Sequence, residues 1–215
     1  PGLVLRGDLA AREEKLKLFA RSEDEIKKRI YINQHTEQLP PGFYNLSFQL
    51  DSPQSKRIAI LRAQLKVRDF SADSLMMSDI QFSPRIQEGM QNARNLKPNG
   101  IQVVPYIGNI VRRTNPISVY FELYHLKLDE NGKSRFNVSY EVKSLTGEQS
   151  VFFNSAIKFI THLVGGNSKQ QTIGSSFESE GDNEFQQIYL SIDFSRFSAG
   201  PCMLNISTTD LVDGS

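Results

Sequence analysis

Tryptophan is missing from this 215-residue chain, and cysteine occurs once, at Cys202. A lone cysteine excludes an intrachain disulfide, so stability must come from packing. The alternation Cys202, Leu204, Ile206 predicts a small buried hydrophobe there rather than a nucleophile, because reactive thiols need electropositive surroundings. Scarce cysteine leaves the compartment open, as cytosolic and many bacterial envelope proteins both avoid disulfides. An excess of one charge is missing too: 25 basic residues face 24 acidic ones, for a net charge of +1. That balance gives no electrostatic basis for binding nucleic acid or an anionic membrane. No run reaches the roughly 18 apolar residues of a spanning helix. The longest candidate, Val151 to Val164, is broken by Asn154, Lys158 and His162. Direct membrane insertion is therefore not expected. The opening PGLVLRGD lacks the apolar core and cleavage site of a signal peptide.

Motifs of catalysis and metal binding are equally scarce. His35, His125 and His162 have no histidine or cysteine at ligand spacing, which argues against zinc. Asp129-Glu130-Asn131-Gly132 is too short for a calcium loop and lacks the downstream carboxylates. Ser155-Ala156-Ile157-Lys158 fits S-x-x-K, but the companion motifs of serine-acylating enzymes are absent. There is no G-x-G-x-x-G, P-loop or G-x-S-x-G. The expectation is a protein that is not an enzyme and holds no cofactor or metal.

Alternation of period two is what the sequence does contain. Tyr44, Leu46, Phe48 and Leu50 alternate with polar residues, as do Phe136, Val138, Tyr140 and Val142, and Ile188, Leu190, Ile192 and Phe194. Each pattern gives a strand one apolar and one polar face. Ser118 to Leu128 is apolar on both faces over part of its length, as in a central strand covered on two sides. Pro41-Gly42, Asn99-Gly100 and Gly200-Pro201 read as turns before strands, and Asn131-Gly132 as a hairpin loop. Short strands separated by turns predict antiparallel sandwiches rather than βαβ units. Asp8 to Arg29 is rich in helix formers, yet Leu16 and Leu18 alternate. It reads as strand, acidic loop, strand, with a helix as the other reading.

One local plan is written twice. Ile30 to Leu50 aligns without a gap over Ile188 to Thr208, an offset of 158 residues that sets Gly42 over Gly200. Each copy reads as two adjacent strands joined by a tight link. Duplication of this kind predicts two domains of one type: all-β, tandem immunoglobulin/fibronectin-like antiparallel β-sandwiches at residues 1–72 and 73–215. Several strand-like runs precede the second copy, and few residues precede the first. The first domain is thus expected to be incomplete at its N-terminal side and to be completed by residues upstream of Pro1. At the same offset Ser22 to Glu25 falls over Glu180 to Asn183, read as part of a polar loop, Ser176 to Glu184.

The phrases LPPGFYNLSFQLDS, RIAILRAQLKVRDF, LMMSDIQFS and NPISVYFELYHL, in that order, resemble the C-terminal β-rich region of GWxTD domain-containing proteins. The likeness runs from about Leu39 to Val142. The naming motif is absent, since the chain has no tryptophan. These are bacterial proteins that often carry export signals, and they bring no catalytic residue. The resemblance implies a β-sandwich tail in the periplasm or cell envelope; the residues themselves leave the cytoplasm open. The expected function is a non-enzymatic interaction or scaffold module that binds a protein partner. A carbohydrate-binding module is the alternative. In the loop Pro105 to Pro116, Tyr106, Arg112 and Arg113 are the expected partner-binding residues, as tyrosine and arginine often anchor interfaces.

Overall fold

The computed structural model describes residues 2–4, 34, 36–52, 56–89, 96–108, 110–145, 172–195, 197 and 199–215. The segments Asp8–Arg29, Ile30–Ile32 and Val151–Val164, with His35, His162 and Ser155–Lys158, lie outside the described residues. The chain divides into two compact units, Pro1–Ala72 and Asp73–Ser215. The fold is all-β: antiparallel sheets, with no α-helix among the described residues.

The first unit holds one described sheet, β1 (Gly2–Val4), β2 (Gly42–Ser52) and β3 (Arg57–Val67), in the order β1-β2-β3. Its register sets Tyr44 opposite Leu65, Leu46 opposite Ala63, Phe48 opposite Leu61 and Leu50 opposite Ala59. One face is therefore apolar from Tyr44 to Leu50 and along the β3 residues opposite them.

The second unit is a β-sandwich. One sheet places β8 (Ile117–Tyr124) between β11 (Gln186–Ile192) and the short strands β4 (Met76–Met77) and β5 (Gln81–Ser83), which pair successive stretches of β8. The opposing sheet runs β10-β9-β12, with β9 (Ser134–Ser144) between β10 (Thr172–Gly181) and β12 (Cys202–Asp210). A two-stranded sheet joins β6 (Arg85–Gln87) and β7 (Gln102–Val104). Between the two larger sheets Ile117, Val119, Phe121 and Leu123 of β8 meet Phe136, Val138 and Val142 of β9 and Ile188, Leu190 and Ile192 of β11, with Leu204 and Ile206 of β12 at the margin. The second face of β8 is covered as well, since Tyr120 is buried with Ile101 and Val103 against Ile86. The apolar character of both faces of this strand thus has its physical cause in two covering layers.

Three sequence expectations are corrected. β11 and β12, the strands of the second repeat copy, pair different partners in different sheets. They form an arch across the sandwich rather than an adjacent pair, because each apolar face must point inward from its own side. Asn131-Gly132 lies in a tight turn, with Gly132 at φ +73°, Asp129 N bonded to Lys133 O at 2.8 Å, and Leu128 bridged to Ser134. The strands on either side of it, β8 and β9, belong to opposite sheets, so the pairing goes no further. His125, at φ +63°, marks where the chain leaves β8 for the other sheet. Ser176 to Gly181 is strand rather than polar loop, paired along β9. Its polar side chains suit an edge strand, and Ser176 Oγ donates to Asn137 Oδ1 at 2.8 Å.

Buried Asp210 closes the end of β12. Its Oδ2 accepts Lys127 N at 2.6 Å and its Oδ1 accepts Val212 N at 2.8 Å. The packing makes a stability prediction. Phe121→Ala, at a fully buried side chain, is expected to cost about 3–5 kcal/mol. Met203→Ala, at a side chain 47% exposed, should change stability by no more than about 0.5 kcal/mol. Urea unfolding of the two variants measures both; equal losses would contradict this core.

Candidate functional site

The chemistry of the second unit concentrates on the outer face of β8. Residues at spacing two share a face, so Tyr120, Glu122 and Tyr124 line up opposite the core-facing Phe121 and Leu123. Tyr120 Oη donates to Glu122 Oε1 at 2.5 Å, and Tyr124 Oη donates to Glu122 Oε2. Gln187 Nε2 of β11 donates to Tyr120 Oη at 2.7 Å, and Asn99 Nδ2 donates to Gln187 Oε1 at 2.9 Å. The result is a directed chain, Asn99 to Gln187 to Tyr120 to Glu122, with Tyr124 closing it from the far side. Lys97 Nζ sits 4.9 Å from the centre of the Tyr120 ring, a cation–π contact. The Tyr124 and Phe185 rings pack 5.3 Å apart.

The backbone holds this group in place. Ser78, between β4 and β5, donates its N–H to Glu122 O at 2.8 Å and accepts Glu122 N at 2.9 Å through its hydroxyl. Asn99 occupies a left-handed conformation, φ +63°, in the turn Pro98–Gly100; asparagine tolerates that region better than most residues. Tyr189, directly opposite Tyr120 across the β11–β8 pair, is 44% exposed and donates to Glu88 Oε1.

Burial, and then the bond to Glu122, raises the Tyr120 phenol above its ordinary value. The Tyr189 phenol is raised by its bond to Glu88, with a smaller contribution from burial. Both phenols therefore stay protonated at neutral pH and act as donors. Both oxygens of Glu122 accept a phenol hydrogen bond. The arrangement is a rigid polar-aromatic platform, with Tyr189, Gln187, Asn99 and Glu88 at its solvent side.

The residues expected to bind a partner are placed otherwise. Tyr106 packs half-buried against the core, its N–H bonds Phe82 O at 2.8 Å, and its hydroxyl donates to Ile110 O. Arg113 is exposed, with Nη1 on Phe197 O at 2.5 Å. Arg112 is exposed in the same loop. The arginines thus face solvent while Tyr106 shapes the loop that carries them. Cys202 is exposed, contrary to the expected burial, and partial desolvation raises its thiol. Its position at the first residue of an edge strand explains the exposure. Asp129 Oδ1 accepts the backbone N–H of Asn131 and Lys133, which lowers its carboxyl below the usual range. Those bonds hold the Asp129 side chain across the turn.

In the first unit, Asn45, Ser47, Gln49, Arg62 and Gln64, with Leu46, Ile60 and Ala63, line an open concavity of about 690 Å³ on β2 and β3. Among the described residues no group of three His, Cys, Asp or Glu side chains could hold a metal, and no helix is long and apolar enough to cross a membrane. The platform is inconspicuous in the sequence, where Tyr120-x-Glu122-x-Tyr124 lies inside an apolar run. The signal was there: one carboxylate flanked at spacing two by two phenols on one strand face. No family model matches the chain, and neither the curated proteins nor the solved structures contain a significant match.

The platform makes a pH prediction. A phenol whose folded pKa is raised contributes stability in full below its unfolded value, about 10, and loses it as pH rises toward the folded value. Unfolding free energy should therefore fall as pH rises above about 10, and Tyr120→Phe should flatten that fall. At neutral pH the same substitution is expected to cost about 1–3 kcal/mol, because Gln187 and Glu122 each lose a buried partner. An unchanged slope in urea unfolding across this range would contradict the assignment.

Proposed function

We propose that this chain is a non-enzymatic interaction module of a bacterial cell-envelope protein and that it binds a protein partner. The observation that carries the reading is the internal commitment of the platform. Glu122 and Tyr120 spend their hydrogen-bonding capacity on each other, which rigidifies a surface rather than arming a reaction. Exposed Arg112, Arg113 and Tyr189 are residue types that anchor interfaces. The placement of β5-β8-β11 opposite β10-β9-β12 supports an immunoglobulin/fibronectin-like sandwich, an architecture that hosts many binding functions. Envelope location rests on the resemblance to the GWxTD protein tail.

A glycan ligand is the second reading, favoured by one feature. The exposed Tyr189 ring lies beside the carboxylate of Glu88, and an aromatic face with adjacent hydrogen-bonding groups suits a sugar ring.

Affinity capture with the full chain from envelope extracts of its native cells separates the two. The protein-partner reading predicts one reproducible protein partner, with capture reduced at least about tenfold by combined Arg112→Ala and Arg113→Ala substitutions, as expected for interface anchors. Retention on cell-wall glycan instead, abolished by Tyr189→Ala, would overturn it and support the second reading.

A further inference from the structure

The hydrogen bonds on the outer face of β8 run in one direction, and a carboxylate dictates which. As a carboxylate, Glu122 only accepts. Tyr120 Oη must therefore donate to Glu122 Oε1, which leaves its lone pairs to accept, and Gln187 meets them with Nε2 at 2.7 Å. With Nε2 spent inward, Gln187 turns Oε1 toward the turn Pro98–Gly100, where Asn99 has to offer Nδ2, at 2.9 Å. The orientation of both amides is thus set from Glu122 outward, and no link can reverse alone.

The frame around the chain is fixed at both ends. Gln187 lies directly opposite Glu122 in the β11–β8 register, so the two share a face. The turn that carries Asn99 is closed by Lys97 N on Ile101 O at 2.7 Å, and Lys97 Nζ stands over the Tyr120 ring. At the far end Tyr124 donates to Glu122 Oε2 and packs its ring on Phe185. Asn99 is exposed, whereas Tyr120 is buried. An exposed amide on one side is therefore joined to an aromatic pair on the other through buried groups.

We propose that this chain is a polarity relay, in which the hydrogen-bonding character presented at Asn99 is coupled through Gln187 and Tyr120 to Glu122 and the Tyr124–Phe185 pair. A group that takes Asn99 Nδ2 for itself leaves Gln187 Oε1 unmatched. Gln187 regains a partner by turning its amide over. That places Oε1 against Tyr120 Oη and sets Gln187 and Glu122 in contest for one phenol proton. Linked hydrogen bonds of this kind act as a unit. The relay goes beyond the binding reading, since it transmits a contact at the exposed turn whether the ligand is a protein or a glycan.

The test is a double-mutant cycle on the full chain. Asn99→Asp puts a carboxylate at the outer end with a residue that tolerates the left-handed turn. Two acceptor ends then face one Gln187–Tyr120 pair, and one link must be lost. Urea unfolding should show a loss of at least about threefold in the folding equilibrium constant, and the Tyr124 ring signals should shift in NMR. Glu122→Gln supplies an amide at the inner end. Combined with Asn99→Asp it lets the whole chain reverse: Gln187 Nε2 donates to the new carboxylate, Tyr120 donates to Gln187 Oε1, and the new amide donates to Tyr120 while its oxygen still accepts Tyr124. The double variant should exceed the product of the single effects by at least about threefold. Tyr120→Phe, which cuts the chain, should abolish that coupling. Additive single effects, or Tyr124 signals unmoved by Asn99→Asp, would overturn the proposal. So would coupling that persists with Tyr120→Phe, which would mark direct charge repulsion between positions 99 and 122.

Discussion

The second unit depends on a strand packed on both of its faces. Ile117, Val119, Phe121 and Leu123 fill the space between the two sheets, while Tyr120 is buried from the other side under Ile101 and Val103. Burial on the outer side creates an obligation, because a phenol sequestered from water without a partner costs free energy. Tyr120 meets it through Glu122 and Gln187, and Glu122 meets its own through two phenols. The polar platform is thus a consequence of the packing: once β8 is central, its outward tyrosines and carboxylate must satisfy one another.

The same constraint organises the connections. An apolar strand face can point only into the sandwich, so consecutive strands that supply opposite walls must cross between sheets. β8 to β9, β10 to β11 and β11 to β12 all do so. The left-handed His125 and the turn at Asp129–Gly132 make one crossing, and the buried carboxylate of Asp210 ties the end of β12 to Lys127 in that same connection. Hydrogen-bonded hairpins are left for places where a strand and its neighbour share one wall, as β2 and β3 do.

Much of this was legible in the sequence. The alternations at Tyr44–Leu50, Phe136–Val142 and Ile188–Ile192 became β2, β9 and β11, and the run from Ser118 became the doubly covered β8. Period two reports which residues share a face, and that information is local. Which strand pairs with which is not local, so in sequence the arch at β11–β12 and the crossing after Tyr124 look like adjacent pairs. β10 was hidden because its residues are mostly small, polar or acidic; its strand character comes from β9 rather than from its own hydrophobicity. The platform was hidden for a different reason. Tyr120, Glu122 and Tyr124 matter through their shared face and their contacts with Gln187 and Asn99, residues distant in the chain.

The central claim, that β8 is packed independently from two sides, is tested most directly by paired double-mutant cycles in urea unfolding. Val103→Ala combined with Tyr120→Ala joins two residues of the outer cluster, and Val103→Ala combined with Phe121→Ala joins residues on opposite faces of the strand. The account predicts a coupling of about 0.5 kcal/mol or more for the first pair and additivity within about 0.5 kcal/mol for the second. Additivity in the first cycle, or equal coupling in both, would contradict it.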